Sequence, residues 1–276
     1  MISLTKVDHT PIEIWSEIGW VRRRIETARR VFLFLDFDGT LAPIVSVPSL
    51  AMLPEDLRIV LRALSAKSDV VTTIISGRAV EDLQHRVALP LIYVGNHGLE
   101  IRGPGLDYTV SEAKGLRFQL LEVGNRLRAT LEPFKGVLVE CKMLSASVHM
   151  RQVDPVEKPE VITIFEESMQ HYPAFQITRG KEVFDIRPNI PWNKGSAARW
   201  ILHKMHGEDC GVICIGDDST DEDMFAEFSD GITIRAGLQD STTAKYWVGE
   251  TEVLRFLHCV LQATQESGSP FRTDAR

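Results

Sequence analysis

Asp36 and Asp38 stand two residues apart where the apolar run Val31-Phe32-Leu33-Phe34-Leu35 ends. In extended chain that spacing points both carboxylates to one side. Gly39 then lets the backbone turn sharply, and Thr40 adds a hydroxyl and an N–H beside the acids. Ser76 ends a second apolar run and is followed by Gly77 and Arg78, so O–H and N–H groups there can turn toward a bound anion. The same serine serves equally well as a helix N-cap. Lys194 opens a helical stretch, where a cation opposes the helix dipole, which favours an anion-directed role over a solvated one. Gly216 to Asp223 packs five acids into eight residues. Such density repels itself unless a cation lies among the acids. An acid-rich first helical turn accounts for Glu222 and Asp223, but not for Asp217 and Asp221. The chemistry these residue types allow is an anion held beside a metal ion and a pair of carboxylates.

The elements that must bring them together follow from periodicity. The continuous apolar run at 31–35 and the largely apolar stretches at 70–75, 91–94, 212–215 and 231–234 predict strands of a buried parallel sheet. Helical spacing over 55–66, 79–87, 193–205, 220–228 and 251–261 places helices between them, and an amphipathic helix is predicted over 11–29. Alternating strand and helix define a doubly wound α/β sheet, whose ligands sit at the carboxyl edge of the strands. The rhythm breaks in the middle. A hairpin over 101–110, helices over 113–131 and 155–171, and short strands over 137–140, 145–151, 175–178 and 182–186 predict an α+β insertion. The expected division is a core of residues 1–107 and 187–276 with an inserted domain of residues 108–186.

Composition bounds the partners. The 276 residues are 44% hydrophobic and 25% charged, as in an ordinary soluble globular protein. A net charge of −7 disfavours nucleic acid and requires local cations or a metal to hold an anionic substrate. Cys141, Cys210, Cys214 and Cys259 show no CxxC or zinc spacing, which fits a reducing cytoplasm. Residues 1–10 lack the apolar region of a signal peptide, and no run approaches the ~18 residues of a membrane span.

Asp36/Asp38, Ser76, Lys194 and Asp217/Asp221 resemble, in order, the four motifs of the haloacid-dehalogenase-type phosphatases. The stretches Leu35 to Pro43, Ile75-Ser76-Gly77-Arg78, Gly95-Asn96-His97-Gly98-Leu99-Glu100, Ile186-Arg187-Pro188 and Gly216 to Asp223 narrow the resemblance to the trehalose-6-phosphate phosphatase family, over about residues 31–262. The resemblance implies a Rossmann-like core with a substrate-selecting α+β cap. It implies that Asp36 attacks phosphorus and that Asp38 acts as acid and then base. It further implies that Ser76, Lys194 and N–H groups near Thr40, with Gly77 and Arg78, hold the phosphate. A metal, Mg²⁺, is expected on Asp36, the Asp38 main-chain carbonyl and Asp217, with Asp221 either supporting those ligands from behind or reaching the metal through water. Glu140, Lys142, Arg151, Lys181 and Asp185 fall where the family's cap faces the sugar. Asp185 stands where the family usually has Glu, one methylene longer. His149 receives no role, and His97 is a weaker candidate for the substrate or the hinge. A small sugar phosphate is the expected partner, a trehalose-6-phosphate synthase is compatible, and the chain is expected to be a monomer.

Other readings share parts of this pattern. A phosphatase of sucrose 6-phosphate or of a glycosyl-3-phosphoglycerate has the same core and differs only in the cap. A phosphoacceptor receiver domain is about half as long and lacks the second aspartate. A silent sugar-phosphate sensor should have lost Asp36 or Asp38, and both are present.

Overall fold

The computed structural model describes residues 10–45, 50–180, 182–207, 209–238 and 241–266. Its first segment departs from the helix predicted over 11–29. A short strand β1 (Ile12–Glu13) and a 3-10 turn (Ile14–Glu17) precede helix α1 (Ile18–Thr27). The Ile12 amide donates to the Lys245 carbonyl, so a partner distant in sequence claims these residues for a sheet edge.

The central apolar run is strand β2 (Val31–Asp36), all six residues of which are buried. Helix α2 (Glu55–Ser65), β3 (Val70–Ile75), α3 (Val80–Val87), β4 (Ile92–Gly95), β5 (Glu100–Gly103) and β6 (Leu106–Thr109) follow. The middle of the chain forms α4 (Ser111–Gly115), α5 (Arg117–Leu131), β7 (Leu138–Cys141), β8 (Ala146–His149), α6 (Lys158–Met169), β9 (Phe175–Gly180) and β10 (Val183–Pro188). The α/β rhythm resumes with α7 (Lys194–Lys204), β11 (Gly211–Gly216), α8 (Glu222–Glu227), β12 (Ile232–Ala236), β13 (Tyr246–Val248) and α9 (Val253–Glu266).

Among the described residues, nine strands build one sheet in the order β1-β13-β12-β11-β2-β3-β4-β5-β6, parallel except at the β4-β5-β6 end. The pleat of β2 sends Leu33 and Leu35 to one face and Phe32 and Phe34 to the other. The first pair joins a core with α1, α2, α3 and α9, and the second packs on α7 and α8. Both faces are covered, which is why the strand reads as an unbroken apolar run. The chain leaves β2 toward β3 on one side and returns to β11 on the other. The crevice between β2 and β11 is therefore the topological switch point where ligands of such sheets bind.

The second sheet is antiparallel, in the order β7-β8-β10-β9. Ala146, Val148, Phe184 and Ile186 point to α5 and α6 and form a separate core, with the Phe165 and Phe184 rings stacked 4.4 Å apart. Alternation turns Glu140, Ser147 and Asp185 to the opposite face, and these three lie side by side across β7, β8 and β10. The predicted helix over 113–131 is two helices broken at Leu116. The expected boundaries at 107/108 and 186/187 both fall inside strands. Residues 108 and 109 pair with β5 in the large sheet, and β10 continues to Pro188 against β9. Strand pairing therefore holds the residues at both connections.

Phe165→Ala is expected to destabilise the smaller sheet by about 3–5 kcal/mol, because a fully buried ring leaves a cavity. Thermal melting, with limited proteolysis to locate the loosened part, checks this. Unchanged melting would show that the stack contributes nothing.

Candidate active site

Strand pairing sets the distance between the key acids. β2 and β11 are neighbours with Leu35 opposite Ile215, so Asp36 and Asp217 leave adjacent strand ends together. Oxygens of Asp36, Asp217 and Asp221 lie within 4.8 Å of one another. Lys194, 1% exposed, enters from the start of α7 and donates to Asp36 Oδ1 at 2.7 Å and to Asp221 Oδ1 at 2.8 Å. Asn193 is the N-cap of α7 and accepts from the Ser196 amide, so the cap duty is met and the lysine is free to turn inward. The second Asp221 oxygen accepts the amides of Asp217 and Asp218, both at 3.1 Å. Gly39 (φ +87°) is required here: a Cβ would sit 2.2 Å from an Asp217 carboxylate oxygen.

Three carboxylates face one ammonium in a dry site. Burial, reinforced by Asp221, holds the Asp36 carboxyl well above the usual range against the pull of Lys194. Burial and Asp221 push Asp217 up to about 7, and burial pushes Asp221 up to about 6 although Lys194 opposes it. Burial alone would discharge Lys194, but Asp221 and Asp36 outweigh it and keep the ammonium charged. The charge deficit is that of a cation site. Asp217 Oδ1 is buried without any hydrogen-bond partner, and the donor set consists of hard carboxylate oxygens. These residues fit a hard divalent cation.

Around this cluster the predicted residues divide. Arg78 grips Asp38 with two bonds of 2.6 Å, from Nε to Oδ2 and from Nη2 to Oδ1, and also reaches Asp82 at 2.9 Å. Arg78 lies in the bend before α3 with its guanidinium forked onto the neighbouring acid, whereas the resemblance implies a phosphate contact for it. Asp38's carboxylate stands outside the acid cluster, so only its main-chain carbonyl is available to the expected metal role. Thr40 is buried with an unpartnered hydroxyl. Ser76 is buried and accepts from the Arg78 amide at 3.2 Å. It does not cap α3, whose N-cap is Ala79.

The smaller sheet meets this site through polar contacts. Lys142 Nζ donates to the Gly77 carbonyl at 2.9 Å and to Ser147 Oγ at 3.0 Å. Ser145 Oγ donates to Asn96 Oδ1 at 2.9 Å. Asp185 accepts from Ser147 at 2.6 Å and lies 3.9 Å from His97 Nε2. Burial raises Asp185, but His97, Lys142 and Ser147 outweigh it and leave its carboxyl well below the usual range. A contact with His149 lowers Glu140. The strand predicted over 145–151 is shorter: β8 ends at His149, and Arg151 sits in a turn donating to the Val45 carbonyl. The chain turns because Met150 bonds back to the Glu182 carbonyl. Lys181 lies outside the described residues.

Sequence reasoning left Asp82 and Asn96 without roles and gave His97 only a minor one. His97, at φ +59° and buried, packs against Gly77, and the unusual Asn-His-Gly string after β4 was its only signal.

A mostly parallel α/β sheet carrying this acid cluster, with an inserted α+β sheet over its carboxyl edge, defines a haloacid-dehalogenase-type phosphatase. The family model described as Trehalose-phosphatase matches residues 34–249. The chain belongs to the trehalose-phosphatase family. It is 36% identical over 203 residues to a trehalose-phosphate phosphatase of Mycobacterium tuberculosis, covering 72% of this chain and 51% of that relative. It is 29% identical over 252 residues to trehalose-phosphate phosphatase B of Arabidopsis thaliana, covering 85% of this chain and 67% of that one. The solved C-terminal domain of a C. albicans trehalose-6-phosphate phosphatase superimposes with a TM-score of 0.79 at 21% identity, covering 93% of this chain and 99% of that one. No described helix is long and apolar enough to cross a membrane.

The raised acids make a prediction about metal and pH. Asp217 and Asp221 take up protons near 7 and 6 when folded, against about 4 for a free aspartate. The folded chain then holds more protons than the unfolded one between those values, so stability without metal falls as pH rises through that window. A millimolar divalent cation is expected to raise the melting temperature more at about pH 8 than at about pH 5, by restoring what the ionised acids lose. In Asp217→Asn the rise should disappear. Equal rises at both pH values would exclude a cation on these carboxylates.

Proposed function

We propose that this chain hydrolyses trehalose 6-phosphate to trehalose and phosphate with Mg²⁺, through an aspartyl-phosphate on Asp36. The observation that carries the reading is the convergence of Asp36, Asp217 and Asp221 on Lys194 at one strand edge, within a chain of the trehalose-phosphatase family. Lys194 holds Asp36 by Oδ1 and fixes the direction of its attack on phosphorus. The bond from phosphorus to the sugar oxygen breaks as the new one forms, and Asp38 delivers a proton to the departing oxygen. Water, giving its proton to Asp38, then attacks the phosphorus and releases the Asp36 carboxylate.

Arg78 orients Asp38 between these steps. A guanidinium only donates, so its fork holds the ionised acid and must loosen when Asp38 carries the proton. Thr40 and Ser76, with Lys194, face the place where charge builds on the phosphoryl oxygens. Bound at Asp36, Asp217 and the Asp38 carbonyl, Mg²⁺ would supply the positive charge that lets a carboxylate approach a dianionic phosphate. Asp221, already filled by Lys194 and two amides, supports that site from behind. The sugar lies under the smaller sheet, where Glu140 and Lys142 present an acceptor and a donor. Four cysteines without disulfides suit a reducing compartment, the cytoplasm.

Purified protein offered a panel of sugar phosphates with Mg²⁺ is expected to release phosphate chiefly from trehalose 6-phosphate, and to stop on chelation. Comparable rates on glucose 6-phosphate, sucrose 6-phosphate and p-nitrophenyl phosphate would defeat the substrate assignment. Asp36→Asn should abolish turnover while substrate still binds, measured by calorimetry. Turnover within about tenfold of wild type would remove Asp36 as nucleophile.

A further inference from the structure

Glu140, Ser147 and Asp185 form one row across three strands, yet their surroundings differ. The Glu140 side chain is 47% exposed and Asp185 only 17%. Asp185 Oδ1 accepts from Ser147 Oγ, Ser147 Oγ accepts from Lys142 Nζ, and the same ammonium donates to the Gly77 carbonyl. On the other side His97 Nε2 stands 3.9 Å from Asp185 Oδ1. The His97 ring lies over Gly77, where a Cβ would come within 2.5 Å of it. Gly77, Lys142, Ser147, Asp185 and His97 thus close a ring, three members from the smaller sheet's domain and two from the core.

His97 is held in this ring against its backbone preference. Asn96, His97 and Gly98 have φ of +51°, +59° and +107°. Non-glycine residues persist in that region only where their surroundings enforce it. The imidazole is 5% exposed and neither ring nitrogen has a hydrogen-bond partner. A neutral imidazole carries one N–H donor, and Asp185 is the carboxylate facing it. The gap exceeds an N–H···O bond by about 1 Å, a distance that a small settling of the cap closes.

We propose that His97 and Asp185 seat the cap on the core. Asp185 is a positioning residue whose carboxylate closes onto His97, and Glu140 is left as the accessible acceptor of the row. This rests on the preceding reading only in treating the smaller sheet as the substrate-side cap. It also gives the shorter acid at position 185 a role: with Ser147 and His97 already beside it, Asp185 is placed to bind across the seam.

The test compares His97→Asn, Asp185→Asn, the double variant and Glu140→Gln; asparagine tolerates positive φ, so the turn at 97 is preserved. The first readout is the radius of gyration by small-angle scattering without substrate. The second is kcat/KM on trehalose 6-phosphate divided by that on p-nitrophenyl phosphate. Each single variant of the pair is expected to enlarge the radius and lower the ratio by about tenfold, and the double variant to do no more than the stronger single, as for two ends of one contact. Glu140→Gln should leave the radius unchanged. Multiplying losses with unchanged radii would overturn the proposal and make Asp185 an independent sugar contact, and an equal enlargement in Glu140→Gln would overturn it too. If the wild-type protein hydrolyses neither substrate, the functional reading fails, while the radii still decide the seam: enlarged in the pair variants they support it, and unchanged they overturn it.

Discussion

A single buried ammonium holds the site together. Lys194 is nearly inaccessible and bonded to two carboxylates, with a third within reach of the same space. Removing such charges from water costs several kcal/mol per ion, repaid only by close geometry and further hydrogen bonds. The fold supplies these by placing β2 and β11 side by side, so that Asp36 and Asp217 leave the sheet at one level. Two amides satisfy the remaining Asp221 oxygen. Even so, one positive charge does not balance three negative ones, and the unpartnered Asp217 oxygen marks where the balance is missing. The arrangement of these carboxylates fits a further cation beside Lys194.

A second set of charges orients Asp38. Arg78 lies between Asp38 and Asp82, Asp82 also holds Arg86, and Arg86 donates to the Ala51 carbonyl. Burial raises Asp82, but Arg86 and Arg78 outweigh it and keep that carboxyl lowered and charged. A chain of alternating charges therefore runs from Asp38 to the loop beside α2. Asp38 is oriented by a partner that itself is oriented, which is how a side chain at a loop position keeps a defined direction.

The smaller sheet uses elementary β geometry to divide labour. One face is apolar and buries Phe165 and Phe184 under α5 and α6. The other face carries Glu140, Ser147 and Asp185 toward the crevice. Because the period is two, one slipped register would send the acids into the core and the phenylalanines to water, so packing of one face fixes chemistry on the other. The contacts from Lys142 to Gly77 and from Ser145 to Asn96 then set where that face stops above the phosphoryl site.

The chain by itself determined the α/β core, the succession of strands and helices along it and the chemical type of each loop that ends a core strand. Strands buried on both faces are mostly apolar, so 31–35, 70–75 and 212–215 are legible, and the residues just beyond them, Asp36, Ser76 and Asp217, are named by position alone. Tertiary structure decided the partners. Nothing local turns Arg78 onto Asp38, ends β8 before Arg151 or stands His97 against Asp185. The same holds for residues 12 and 13, which become strand only because β13 offers an edge more than two hundred residues away. Periodicity records which side of an element is buried, whereas the meeting of two side chains depends on strand order and register, which no single stretch of sequence contains.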